Sequence, residues 1–158
     1  MQLVTFTHCH QQKLGAVLGD FVVDLHAACA LYRYDQDFPG DMLSLLRAGN
    51  SALQRARTAL EWVAANTVYQ VMIPMDEVRL EAPINNPGKI ICVGFNYYDA
   101  CRNHDIEIPK RPILFPKFAS SIIGPNEAIS WREDESAQVD YEAELAVIIG
   151  RSTHDLTE

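Results

Sequence analysis

The stretch Asp140-Tyr-Glu-Ala-Glu-Leu-Ala-Val-Ile-Ile-Gly150 decides how this chain is read. Residues two apart in a strand share a face, so Asp140, Glu142 and Glu144 would line one side. Tyr141, Ala143, Leu145, Val147 and Ile149 would line the other. The pattern predicts a strand with an apolar core face and a carboxylate row opening its second face. Like charges at that spacing repel, and a cation between them relieves the repulsion. Carboxylate oxygens favour hard cations such as Mg2+, Mn2+ or Ca2+. A half-exposed strand with a wet acidic end fits the same letters, and spacing alone leaves both readings open.

Upstream of this stretch, Lys89-Ile-Ile-Cys-Val-Gly94 is a buried-strand run that leads into Phe95-Asn-Tyr-Tyr-Asp-Ala-Cys-Arg-Asn-His104. A buried strand that ends in glycine and then polar and aromatic residues presents side chains at the rim of a site, or simply turns a corner. Pro109, Pro112 and Pro116 exclude a helix and a central strand around Ile113-Leu-Phe115, which predicts a second half made mostly of sheet and loops. Trp131-Arg-Glu-Asp-Glu-Ser136 reads as a solvent-facing acidic loop.

Further back, Asn85-Asn-Pro-Gly88 is a dense turn, and the character of the chain changes near residue 75. Before it lie three short strands: Leu3–Thr7, Leu14–Leu18 and Phe21–Leu25. Gly19-Asp20 is a hairpin turn between the last two, and His8, Cys9 and His10 are read as an exposed strand face. Helices are expected over Met42–Ala48 and Ser51–Ala65, stopped from each other by Gly49-Asn50, with Leu53, Ala56, Leu60 and Val63 as the packed stripe of the second. The fold class is α+β: a small α+β domain over residues 1–75, then the first part of a β-rich domain over 76–158.

The 158 residues are 48% apolar and 22% charged, enough to bury a core and unlike a disordered chain. Thirteen basic against 21 acidic residues leave a formal charge of -8, which repels phosphate backbones, and no basic stripe offsets it. Nucleic acid is therefore not an expected partner. No apolar run reaches the roughly 20 residues of a membrane helix, so no membrane partner is expected. The start lacks the apolar region of a secretory signal, making the cytoplasm the default location. Cys9, Cys29, Cys92 and Cys101 show no paired spacing and read as free thiols.

Four segments in order resemble the fumarylacetoacetate hydrolase family. They are Leu14-Gly-Ala-Val-Leu-Gly-Asp20, Lys89-Ile-Ile-Cys-Val-Gly-Phe-Asn-Tyr97, Pro112-Ile-Leu-Phe-Pro-Lys117 with Ser120-Ser121, and Val139-Asp-Tyr-Glu-Ala-Glu-Leu-Ala-Val-Ile-Ile-Gly150. The resemblance implies a small N-terminal domain, a β-rich catalytic domain and a homodimer. It also implies a divalent cation, commonly Mg2+, held by Glu142, Glu144 and an aspartate further along. The implied substrate is a small 2-oxo or 1,3-dicarbonyl carboxylic acid. Tyr97, Phe115 and Lys117 are candidate substrate contacts.

Two departures from the family pattern bear on the reaction. Hydrolytic members carry a water-activating histidine after the G-x-N-Y segment and a glutamate three residues later; the matching positions are Ala100 and Asn103, neither of which is a base. His104, next in sequence, is the candidate catalytic base in their place. Isomerase, decarboxylase or lyase chemistry thereby gains on hydrolase chemistry. The chain also ends at Glu158, before the family's third carboxylate and active-site lysine, which leads to the expectation of a truncated domain completed by a partner chain. A non-catalytic structural or regulatory role is the alternative reading.

Overall fold

The computed structural model describes residues 1–33 and 37–157. They form two compact units, Met1–Pro83 with Gly124–Glu158, and Ile84–Ile123. The architecture is α+β, with antiparallel sheets and helices in the expected class.

In the first unit, β1 (Leu3–His8), β2 (Gln11–Leu18) and β3 (Phe21–Asp24) form a meander. Gly19-Asp20 closes β2 on β3, pairing Leu18 with Phe21, as the turn chemistry predicts. Gly19 has φ 59, a conformation its missing Cβ makes inexpensive. The β1–β2 turn is a correction: Cys9 and His10 are not a strand face but the two turn residues, at φ 48 and 61. Two consecutive left-handed residues match the right-handed twist of the flanking strands, which is why a two-residue hairpin accepts them without glycine. The short strands β4 (Met72–Pro74) and β5 (Arg79–Leu80) complete the order β4-β3-β2-β1-β5.

Helix α1 (Leu25–Arg33) begins where the sequence reading had continued a strand. Asp24 ends β3 and its Oδ1 accepts the Ala27 N–H at 3.0 Å, an N-cap that turns the chain out of the sheet. Leu25, Ala28 and Cys29, at helical spacing, are buried. Helix α2 (Met42–Asn66) is two helices joined across Gly49, whose φ 72 and ψ -159 break the helical path where Gly49-Asn50 was expected to stop it. Beyond Gly49 its buried face is Ala52, Ala56, Ala59 and Val63, with Leu53 and Leu60 only half-buried. The alanines win because a face of small side chains lets the helix approach α1 closely. Phe6, Leu14, Val22, Val23, Leu25, Leu45 and Val63 are fully buried and form the core.

The second unit holds β6 (Ile90–Gly94), α3 (Tyr98–Asn103) and β7 (Ile113–Lys117). The strands pair antiparallel from Ile90 with Lys117 to Gly94 with Ile113. Pro116 sits in β7, which is an edge strand in this two-stranded ladder and so tolerates a missing donor.

The expectation of a sheet-rich second half is corrected. Asp140–Gly150 carries no regular secondary structure, and Tyr141, Leu145, Val147 and Ile149 are 85, 83, 75 and 71% exposed. Period-two patterning says which side chains share a face, but a strand also needs a neighbour for its backbone groups. Among the described residues no strand pairs with this segment.

Candidate functional site

Strand β6 delivers the chain to Gly94, and Phe95 follows at φ 49, a left-handed residue that bends the backbone sharply out of the ladder. Tyr97 is extended and stands at the N-cap of α3. Cys101, 1% exposed, anchors the turn from inside: its Sγ donates to the Phe95 carbonyl at 3.5 Å, and its own carbonyl accepts the Ile106 N–H at 2.8 Å. Sequence reasoning gave Cys101 no role beyond a small buried hydrophobe. The available signal was its position six residues after Phe95, inside a segment too short to bury itself without a central plug.

Ala100 and Asn103 lie three apart on α3, and residues so spaced share a helix face. Side chains at these two positions would therefore act on one surface, and neither Ala100 nor Asn103 is a base. His104 is exposed at the C-cap, and its N–H donates to the Ala100 carbonyl at 3.1 Å. Four residues beyond Ala100, it projects from nearly the same side.

Phe115 pairs with Cys92 across the ladder, and its ring lies 3.7 Å from where a Cβ on Gly94 would stand. That is ordinary contact distance, so the ring packs beside the strand's exit whether or not a Cβ stands there. Tyr97 and Phe115 are 46 and 41% exposed, so both offer ring surface to solvent. Lys117 pairs with Ile90 at the other end of β6. Four residue steps, about 13 Å of strand, separate that end from Gly94.

Glu142 and Glu144 lie in the first unit and are exposed. Among the described residues no group of three His, Cys, Asp or Glu side chains is placed to hold a metal ion. The preceding loop is solvent-facing as expected. Its Asp134 receives a bidentate hydrogen bond from Arg132, at 2.9 and 2.5 Å, and this bond lowers the carboxyl's pKa below its ordinary value. Among the described residues no disulfide joins Cys9, Cys29, Cys92 or Cys101. No described helix is long and apolar enough to cross a membrane.

The fold therefore defines a mixed α+β protein, with a helix-covered antiparallel sheet in one unit and a hairpin with a short helix in the other. Residues 89–158 match the family described as fumarylacetoacetate (FAA) hydrolase C-terminal. The chain belongs to the fumarylacetoacetate hydrolase family. It is 44% identical over 162 residues to the mitochondrial oxaloacetate tautomerase fahd2 of Xenopus laevis, covering 100% of this chain and 47% of that protein. It is 37% identical over 155 residues to the human mitochondrial oxaloacetate tautomerase FAHD2A, covering 96% and 45%. Among solved structures, an HpcE protein from Mycobacterium smegmatis superposes with a TM-score of 0.55 at 27% identity, covering 84% of this chain and 41% of its own. The chain spans about half the length of the curated relatives it matches.

The cytoplasmic expectation is overturned by these relatives, which are named mitochondrial. The inference failed for a physical reason: a secretory signal and a mitochondrial presequence are different objects, one an apolar run and the other amphipathic and arginine-rich. Lack of the first says nothing about the second.

Proposed function

We propose that this chain serves a divalent-cation-dependent enzyme that interconverts the keto and enol forms of a small 2-oxo acid, with oxaloacetate, named for its relatives, as the substrate. The observation that carries the reading is the 44% identity across the whole chain to a protein named an oxaloacetate tautomerase. Ala100 and Asn103 on one face of α3 support it, because neither side chain present at the two positions where hydrolytic members carry their water-activating histidine and glutamate is a base. Tautomerisation consumes no water. The C3–H bond breaks, its electron pair becomes the C2–C3 double bond, and the carbonyl oxygen takes up a proton.

His104, projecting beside Ala100, is the group we assign to carry that proton between carbon and oxygen. Tyr97 and Phe115 supply apolar ring surface, and Lys117 offers a cation to a substrate carboxylate. Glu142 and Glu144 would hold the cation: their oxygen donors fit Mg2+ or Mn2+ in kind, and further ligands would come from water, substrate or another polypeptide such as a second copy. When bound, the cation polarises the carbonyl and stabilises the developing enolate.

The test is isothermal titration of the chain with Mg2+ and Mn2+, with and without oxalate as an enolate mimic. Saturable binding that oxalate strengthens and Glu142→Ala removes is the expected result. Binding that survives unchanged in Glu142→Ala would refute the ligand assignment. A chain that is folded by circular dichroism yet binds neither cation would favour the non-catalytic reading.

A further inference from the structure

A cavity of about 400 Å3 lies between α1 and α2 in the first unit, lined by Cys29, Tyr32, Arg33, Ser51, Gln54, Arg55 and Thr58. Each helix contributes a continuous stripe. Cys29, Tyr32 and Arg33 stand at i, i+3 and i+4 on α1, while Ser51, Gln54, Arg55 and Thr58 stand at i, i+3, i+4 and i+7 on α2. The kink at Gly49 re-aims α2 just before its stripe begins at Ser51. Beyond Gly49, alanines make up most of the buried face of α2, leaving its polar stripe turned to this space.

The chemistry of the lining is asymmetric. Cys29 is 3% exposed and Tyr32 is half-buried with its ring against Trp62, so this part of the lining is apolar and firmly packed. Two guanidinium groups stand over aromatic rings: Arg33 lies 5.1 Å from the centre of that same Tyr32 ring and Arg55 lies 5.3 Å from that of Phe38. Ser51 and Thr58 add two aliphatic hydroxyls and Gln54 an amide, and none of the described lining residues is acidic. Volume, apolar floor and a few convergent polar groups are the attributes of a small-molecule pocket.

We propose that this cavity is a binding site for a small monocarboxylate with a compact apolar body, the body against Tyr32 and Cys29 and the carboxylate toward Arg33. Arginine suits the role, since its planar fork matches a carboxylate. The site is independent of the cation site and of any catalytic assignment above.

The experiment is an amide NMR titration of the 158-residue chain with benzoate, benzamide and benzylamine as probes, repeated with Arg33→Met. Arg33 is exposed, so its replacement leaves the core intact. Benzoate is expected to shift the amides of Cys29, Tyr32, Ser51 and Thr58 saturably, with benzylamine producing no saturation. Arg33→Met is expected to weaken benzoate on the order of tenfold while leaving benzamide unchanged, since one charge-assisted hydrogen bond at an open site is at stake. The proposal is overturned if benzoate does not saturate, if its shifts gather outside the α1–α2 cleft, if benzylamine binds as well, or if Arg33→Met leaves benzoate affinity intact.

Discussion

Gly15 in the middle of β2 is the position where one added methyl group should do most harm. A Cβ placed on it would stand 2.6 Å from Val22 Cγ1 and 2.7 and 3.0 Å from Phe6 Cε1 and Cδ1. Carbon atoms pack best at about 3.5–4.0 Å, so relief needs roughly 1 Å of movement. Neither neighbour is free to give it, because Phe6 and Val22 are both fully buried. The backbone cannot retreat either: Gly15 pairs with Val4 on one side and Asp24 on the other, locking β2 between β1 and β3. Overpacking of this kind costs about 1–3 kcal/mol. Replacing glycine returns about 0.4–1 kcal/mol by restricting the unfolded chain. Gly15→Ala is therefore expected to destabilise the chain by about 1–2 kcal/mol, read as a urea midpoint lowered by about 0.5–1 M at unchanged slope. Gly88→Ala is the control, since a Cβ there meets nothing within 4 Å. Phe6→Leu should cost less in the Gly15→Ala background than alone, because it opens the space the methyl needs. A Gly15→Ala midpoint equal to or above that of the parent would refute the reasoning.

Two further perturbations probe how the sheet hands the chain to its helices. Asp24, 7% exposed, accepts from Lys13 Nζ at 2.8 Å through one oxygen and from the Ala27 N–H through the other. Lys13→Met leaves that carboxylate without its cation and should cost about 2 kcal/mol, less than a fully buried pair because the Lys13 side chain is 31% exposed; Lys13→Met with Asp24→Asn should recover part of it in the same urea assay. Asp41 caps α2, its oxygens accepting from the Ser44 N–H at 2.9 Å and the Ser44 hydroxyl at 2.6 Å, so Asp41→Ala should cost about 1 kcal/mol and Asp41→Asn less. The hydroxyl bond and then the N–H bond hold the Asp41 carboxyl below its ordinary pKa of 3.8. A depressed folded pKa means the contribution is present above the unfolded value and fades as pH falls through the folded one. Urea midpoints of parent and Asp41→Asn should therefore begin to converge as pH falls below roughly 5 and go on converging until pH has passed below the folded value, and parallel curves would contradict the cap's charge dependence.

What could be read from the letters follows from which interactions are local. Gly19-Asp20, Gly49 and the α+β class were legible because a turn or a helix stop is decided by the residues that make it. Helix α1 was hidden behind Phe21-Val-Val-Asp-Leu25, a good strand by composition, although Asp24 followed by Leu25, Ala28 and Cys29 held the cap and the period that reveal it. The stripe of α2 was misplaced by one position in two cases because hydrophobicity favoured Leu53 and Leu60, whereas close helix approach favoured Ala52 and Ala59.

The carboxylate segment shows the limit most sharply. Its alternation is a statement about two faces, and each face needs something outside the segment to mean anything: a sheet for the apolar one, a cation or water for the acidic one. Val147 and Ile149 are 75 and 71% exposed, so the apolar half of that statement lies largely in water. A row of large aliphatic side chains left in water forgoes the roughly 1.5–3 kcal/mol that burial gives each. Whatever pairs with 140–150 therefore gains on two accounts at once, ladder hydrogen bonds and apolar burial. The same event would set Glu142 and Glu144 side by side on one face, as strand geometry requires. Ordering of this strand and formation of the carboxylate pair are thus one coupled step. Cation affinity in this chain should rise under any condition that orders 140–150. A cation titration followed simultaneously by the amide signals of Glu142 and Val147 would show both moving with one midpoint, and separate midpoints would break the coupling.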